Sequence, residues 1–257
     1  MSLGRRQVVA GLAGAAGLAA SGLVRAIGPG SKFKIGQVIT PGGDWNPRPT
    51  AIRRLQWQLD LRTSIDAARD PVNLRLDDGR LHETPFLYLA GDRAFQPPSA
   101  RELERLRRFL TFGGFLLIDN AEGRAGGPFD EAARRLVTAL FPRGPALEAL
   151  SPEHVIYKSF YLVDRPAGRV LASPVLEAVT IDKRATIVYS ANDLGGAWER
   201  DDVGGWVHPC IPGGEAQREM AFRLGINLAM YALCLDYKED QVHVPFILKR
   251  RRWKPDP

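Results

Sequence analysis

The sequence has very little cysteine and lacks the common catalytic fingerprints. Only Cys210 and Cys234 occur among 257 residues. They form no CxxC pair, and no Cys/His cluster has metal-ligand spacing, so no structural metal is expected. An exported chain can pair two such cysteines, although Cys234 sits in an apolar helical stretch that reads as core. There is no GxSxG elbow, no GxxxxGK[ST], no HExxH, and no GxGxxG after a strand. Standard nucleotide and hydrolase fingerprints are therefore unsupported, and no cofactor is expected. No internal repeat or long low-complexity tract interrupts the chain.

A strongly basic body is missing too, despite a net charge of +6. Arg5, Arg6 and Arg25 fall in the first 26 residues, and Lys249, Arg250, Arg251, Arg252 and Lys254 crowd the end beside one acid, Asp256. The body between them is close to neutral. A nucleic-acid binder needs a basic face on its fold, so no nucleic-acid partner is expected.

Residues 1–26 read as a twin-arginine-like signal peptide. The Arg5–Arg6 pair precedes a small-residue apolar run without acids, and small-residue cleavage sites stand near Ser21 and Ala26. An uncleaved anchor is the alternative. The run from Val8 to Val24 is short and glycine-rich against the roughly 20 apolar residues of a membrane span. The expected location is the periplasm, free or anchored facing it. Residues 33–245 read as one α/β domain. Residues 246–257 are a basic C-terminal tail, either solvated or in weak contact with an anionic membrane.

Within the domain, FKIGQVI (33–39) and the alternating VNLRL (72–76) read as strands, the second at an edge. FLYLAG (86–91), FLLID (115–119) and ATIVYS (185–190) are continuous apolar runs, the mark of strands covered on both faces. Shorter strands are expected near 156–162 and 175–181. Ser99 and Glu102 form a capping-box pattern ahead of Leu106, Phe109 and Leu110. Further helices are expected after Pro49, over 129–141 and over 215–235. This alternation predicts an α/β, flavodoxin-like three-layer sandwich with a mostly parallel sheet.

In such a sheet the carboxyl ends of the strands open into one crevice. Polar and aromatic residues gather after the strands: Asp44 and Trp45, Asp92, Asp119 and Asn120, then Asn192 and Asp193 with Trp198 beyond. His154 and Tyr157 join them as candidates for lining a polar ligand pocket. For each of these residues, a turn, cap or core role stands as the alternative. The pair Gly195–Gly196 reads as a turn or a helix stop. Arg223 and Asn227, four apart on the last helix, either reach the crevice or tie that helix to a loop.

Six stretches in order, GGDW (42–45), FLYLAGDRAF (86–95), GGFLLIDNAEG (113–123), HVIYKSFY (154–161), YSANDLGGAW (189–198) and RLGINLAMYAL (223–233), resemble the bacterial family of domain of unknown function 4159. The resemblance implies a fold similar to class I glutamine amidotransferase-like domains. Enzymes of that class carry a nucleophilic cysteine on the turn after a central strand, with a His–Glu pair elsewhere. The matching turn here holds Asp119 and Asn120, and neither cysteine is near it in sequence. Some members of the family are fused to or encoded near membrane proteins with von Willebrand A-type modules, which implies an envelope partner. Two functions follow as expectations. The first is a non-catalytic exported domain that binds a protein partner or a small polar ligand. The second is a hydrolase for a small polar or sugar-like substrate, with Asp119 or Asp193 as base and His154 assisting.

Overall fold

A computed structural model describes residues 32–250, with side chains through Cys234. The signal-peptide reading of residues 1–26 and the side chains of the basic tail lie outside the described residues. Strand β1 (Ile35–Val38) leads through a glycine turn to helix α1 (Ala51–Arg62) and the short strand β2 (Val72–Leu74). Strand β3 (Phe86–Gly91), helix α2 (Ala100–Thr111), strand β4 (Phe115–Asn120) and helix α3 (Pro128–Leu140) follow. The Ser99–Glu102 capping box closes as expected: the Ser99 hydroxyl accepts from the Glu102 N–H, and the Glu102 carboxylate accepts from the Ser99 N–H.

The chain then adds β5 (Glu148–Ala149), β6 (Glu177–Ile181) and β7 (Arg184–Ser190), a short helix α4 (Leu194–Trp198) and a long helix α5 (Gly214–Arg250). Asp182 and Lys183, both at positive φ, make the two-residue turn between β6 and β7. The strands form one seven-stranded sheet in the order β2-β1-β3-β4-β7-β6-β5. β2, β1, β3, β4 and β7 run parallel, and β6 and β5 extend that edge antiparallel. This is the flavodoxin-like three-layer arrangement.

Side-chain alternation along the strands builds two cores. Phe86, Tyr88, Phe115 and Leu117 face α1, α4 and α5. Leu87, Leu89, Leu116 and Ile118 face α2 and α3. Both surfaces of the central strands are covered, which is why those strands are apolar throughout.

Three local expectations differ from the structure. The stretch 156–162 is not a strand: Val155–Lys158 forms a 3-10 turn. The N–H groups of Phe160 and Tyr161 go to Asn227 Oδ1 (3.2 and 2.7 Å), so α5 satisfies a backbone that has no strand partner. Asn227 therefore ties the helix to this loop. The pair Gly195–Gly196 lies inside α4 rather than in a turn. Cys234 is exposed rather than core. Tyr231, three residues earlier, already reaches the beginning of β7, where its hydroxyl accepts from Ala185 N–H (2.9 Å), so α5 is leaving the sheet.

Candidate functional site

The polar end of β4 divides between the two faces of the sheet. Strand alternation sends Asp119 towards α4 and Asn120 towards α3. Asn120 donates to Arg124 carbonyl (2.7 Å) and to Tyr189 hydroxyl (3.0 Å), and accepts from Glu122 N–H (2.9 Å). It closes the turn after its own strand.

Asp119 is fully buried. Its Oδ1 accepts from Leu194 N–H (2.8 Å), and its Oδ2 accepts from Gly195 N–H (2.7 Å) and the Tyr88 hydroxyl (2.8 Å). It thus caps α4, a helix that begins 75 residues further along the chain. Burial, with the charge of Asp193 nearby, pushes this carboxyl up to about 6, against the opposing pull of its three donors. The same burial and the adjacent carboxylate raise the Tyr88 phenol.

Asp193 is the N-cap of α4, at φ 53°, and is also fully buried. Its Oδ1 accepts from Gly196 N–H (2.9 Å) and Arg48 Nε (3.1 Å). Its Oδ2 accepts from Arg48 Nη2 (2.7 Å) and from Arg169 Nε. Arg48 Nη2 also donates to the Ala121 carbonyl (3.2 Å), just beyond β4. Around these arginines stands a second pair, His208 Nε2 and Glu199 Oε2 at 3.0 Å. Burial raises the Glu199 carboxyl and lowers the His208 imidazole, so both shifts oppose an ion pair and favour a neutral imidazole donating to Glu199.

The remaining sequence candidates scatter. Asn192 is buried behind Asp193; its Oδ1 accepts from Ser173 N–H (2.8 Å), and its Nδ2 donates to the Ser173 and Pro166 carbonyls. Trp198 is fully buried in the core and donates to the Ala221 carbonyl (3.0 Å). Asp44 and Asp92 stand with half-buried Trp45 at the rim between β1 and β3, where the strand order reverses, and Arg93 contacts both acids (3.8 and 2.8 Å). The two loops there pack closely: a Cβ on Gly91 would lie 3.2 Å from the Asp44 carbonyl, and one on Gly43 3.1 Å from that of Ala94. His154 is at the other end of the sheet. His154 caps its own 3-10 turn and packs edge-on to Tyr231, which touches the beginnings of β4 and β7. The Tyr157 hydroxyl accepts from Leu176 N–H (3.2 Å), just ahead of β6 and so beside the end of β7, without a bond to the cluster. The structure therefore unites Asp119, Asn192, Asp193 and Trp198, and separates them from His154.

Sequence reasoning missed Arg48, Arg169, Glu199 and His208. Only the prolines flanking Arg48 set any of the four apart, and they signal a fixed backbone rather than a ligand.

The family described as Domain of unknown function (DUF4159) matches residues 34–233. The chain belongs to this family. No curated protein matches it. The DUF4159 match contains all seven strands and the whole Asp119–Asp193–Arg48–Arg169 cluster. Among the described residues, the DUF4159 domain has no group of three or more His, Cys, Asp or Glu placed to hold a metal, and no helix long and apolar enough to cross a membrane. Cys210 is free and buried, and burial raises its thiol, which disfavours the thiolate a nucleophile needs.

Proposed function

We propose that this DUF4159 domain is an exported, non-catalytic, amidotransferase-like domain that binds a small polar ligand or a protein partner in the cell envelope. The carrying observation is that the two buried strand-end carboxylates, Asp119 and Asp193, are fully occupied. Every oxygen of Asp119 and Asp193 accepts from an internal donor, and both side chains are sealed from solvent. A general base must reach a substrate proton at hydrogen-bond distance. Here that space is filled by the first turn of α4 and by two arginines. No cysteine occupies the turn after β4, so the thiolate chemistry of the amidotransferase class has no nucleophile there.

The hydrolase reading draws on one different observation, the half-exposed His208 against Glu199 at 3.0 Å. A panel of small amides, esters and glycosides, run on wild type and on Asp119→Asn and His208→Ala, separates the readings. Neither wild type nor variants should exceed the buffer rate. Turnover by wild type that either folded variant loses would establish the hydrolase instead.

A further inference from the structure

The loop after α4 turns back on itself and presents two sides. Arg200 pairs with Trp206 as an antiparallel bridge. Thr50 fastens it to the entry of α1: its hydroxyl donates to the Arg200 carbonyl (2.6 Å) and accepts from the Arg200 N–H (3.0 Å). Glu199 and His208 belong to the strand-end cluster, while Arg200 and Trp206 meet α1. A pocket of about 690 Å³ lies between this second side and α1.

Five cations line it, Lys32, Arg53, Arg54, Arg69 and Arg200, against three carboxylates, Asp60, Asp201 and Asp202. Lys32 and Arg53 are paired away, with Asp66 (2.9 Å) and Asp70 (2.7 Å). Asp201 is engaged in its own turn, accepting from the Val203 and Gly205 N–H groups. Arg54 and Arg200 are different. Each buries its Nε without a hydrogen-bond partner, and neither forms an ion pair among the described residues. Burial, then the like charges of Arg200 and Arg62, pushes the Arg54 guanidinium down to about 10.

Two half-buried guanidinium groups without an ion-pair partner are unfavourable, because removing a charge from water needs compensation. Both are nevertheless held in place. The Arg54 guanidinium lies 3.8 Å above the Trp57 ring, and that of Arg200 3.9 Å above Trp206. Such stacking fixes the planes of the two forks, whose geometry matches the oxygens of a carboxylate or phosphate. Trp57 is 46% exposed and lines the pocket beside them.

We propose that this pocket binds an oxyanion carried on a flat ring, the terminal nitrogens of Arg54 and Arg200 holding the oxyanion and Trp57 packing the ring. The proposal rests on the binding reading above and names its ligand class. Titration calorimetry with phenyl phosphate, benzoate and inorganic phosphate, at matched ionic strength in chloride, tests it on the full chain. Phenyl phosphate or benzoate should bind more tightly than inorganic phosphate, and Arg54→Met and Arg200→Met should each weaken that binding by about tenfold, as loss of a charged hydrogen-bond donor does. In chloride alone both variants should melt no lower than wild type, since each removes an uncompensated charge while keeping the packed stem. An arginine with a merely structural role would lower the melting temperature instead. Absence of binding, equal affinity with and without the ring, or unchanged affinity in the variants overturns the proposal. Phenol release followed in the same mixtures reports separately on the non-catalytic reading, because hydrolysis would defeat that reading whether or not the variants lose affinity.

Discussion

Asp119 is a carboxylate in a position where neither ionisation state is free of conflict. Three donors favour the anion, while burial and Asp193 oppose it, and the balance places its titration at about 6. An exposed aspartate in the unfolded chain titrates at about 3.9. The folded state therefore binds the Asp119 proton more tightly than the unfolded state does. The corresponding stability is fully present below about pH 4 and is lost as pH rises through about 6. Urea denaturation of wild type and Asp119→Asn between pH 4 and 7 should show the wild-type advantage shrinking as pH rises. A difference that stays constant with pH would refute the assignment. Asp119→Ala is expected to be more severe at every pH, because Leu194 N–H, Gly195 N–H and the Tyr88 hydroxyl all lose their acceptor. Each orphaned buried donor costs about 1–3 kcal/mol. The presence of a polar pair after an apolar run was legible in the sequence. Its division between two faces also follows from strand alternation. The partner of Asp119 was not legible, because helix caps are normally local and this one comes from a distant strand.

Among the elements, α4 is the one on which the site depends and the one with the weakest sequence signal. It has five residues, two of them glycine, too few for an apolar period to appear. The buried runs of β3, β4 and β7 and the capping box of α2 are strong local signals and appear where expected. The stretch 156–162 misleads because Ile156 and Tyr157 are buried in succession by α5, not by alternation in a sheet. Helix α5 crosses α4 and α1 closely at Gly225. A Cβ there would lie 2.7 Å from Trp198 Cζ2 and 2.7 Å from Leu55 Cδ1, both in fully buried side chains. Glycine inside a helix ordinarily loses up to about 1 kcal/mol relative to alanine. Overpacking a tight core costs about 1–3 kcal/mol, and here it should win. Gly225→Ala is thus expected to lower the thermal midpoint, and a rise would show that the crossing can relax.

For the whole molecule, the cluster around Asp193 joins segments that the chain keeps far apart. Arg48 precedes α1, Ala121 follows β4, Arg169 lies in the irregular stretch before β6, and Asp193 follows β7. No local pattern announces such a junction, since an arginine reads as a solvated residue until the fold supplies its acid. Two arginines share one buried carboxylate, so removal of Asp193 leaves both uncompensated, whereas removal of Arg48 leaves Arg169 as the partner of Asp193. Breaking a buried pair by deleting one partner costs about 3–5 kcal/mol. Asp193→Asn should destabilise the domain by that order in urea unfolding, because Arg48 and Arg169 then face each other without a counter-ion. Arg48→Met should cost less, because Arg169 still pairs with Asp193. The double variant should lose less than the sum of the two, since Arg48→Met removes one of the charges that Asp193→Asn strands. Distant independent sites add to within about 0.5 kcal/mol. Additivity within that margin would show that Arg48 and Asp193 act separately and that the junction does not hold the strand ends together. A shortfall of more than about 1 kcal/mol from the sum would identify the pair as an energetic tie between the entry of α1 and the end of β7.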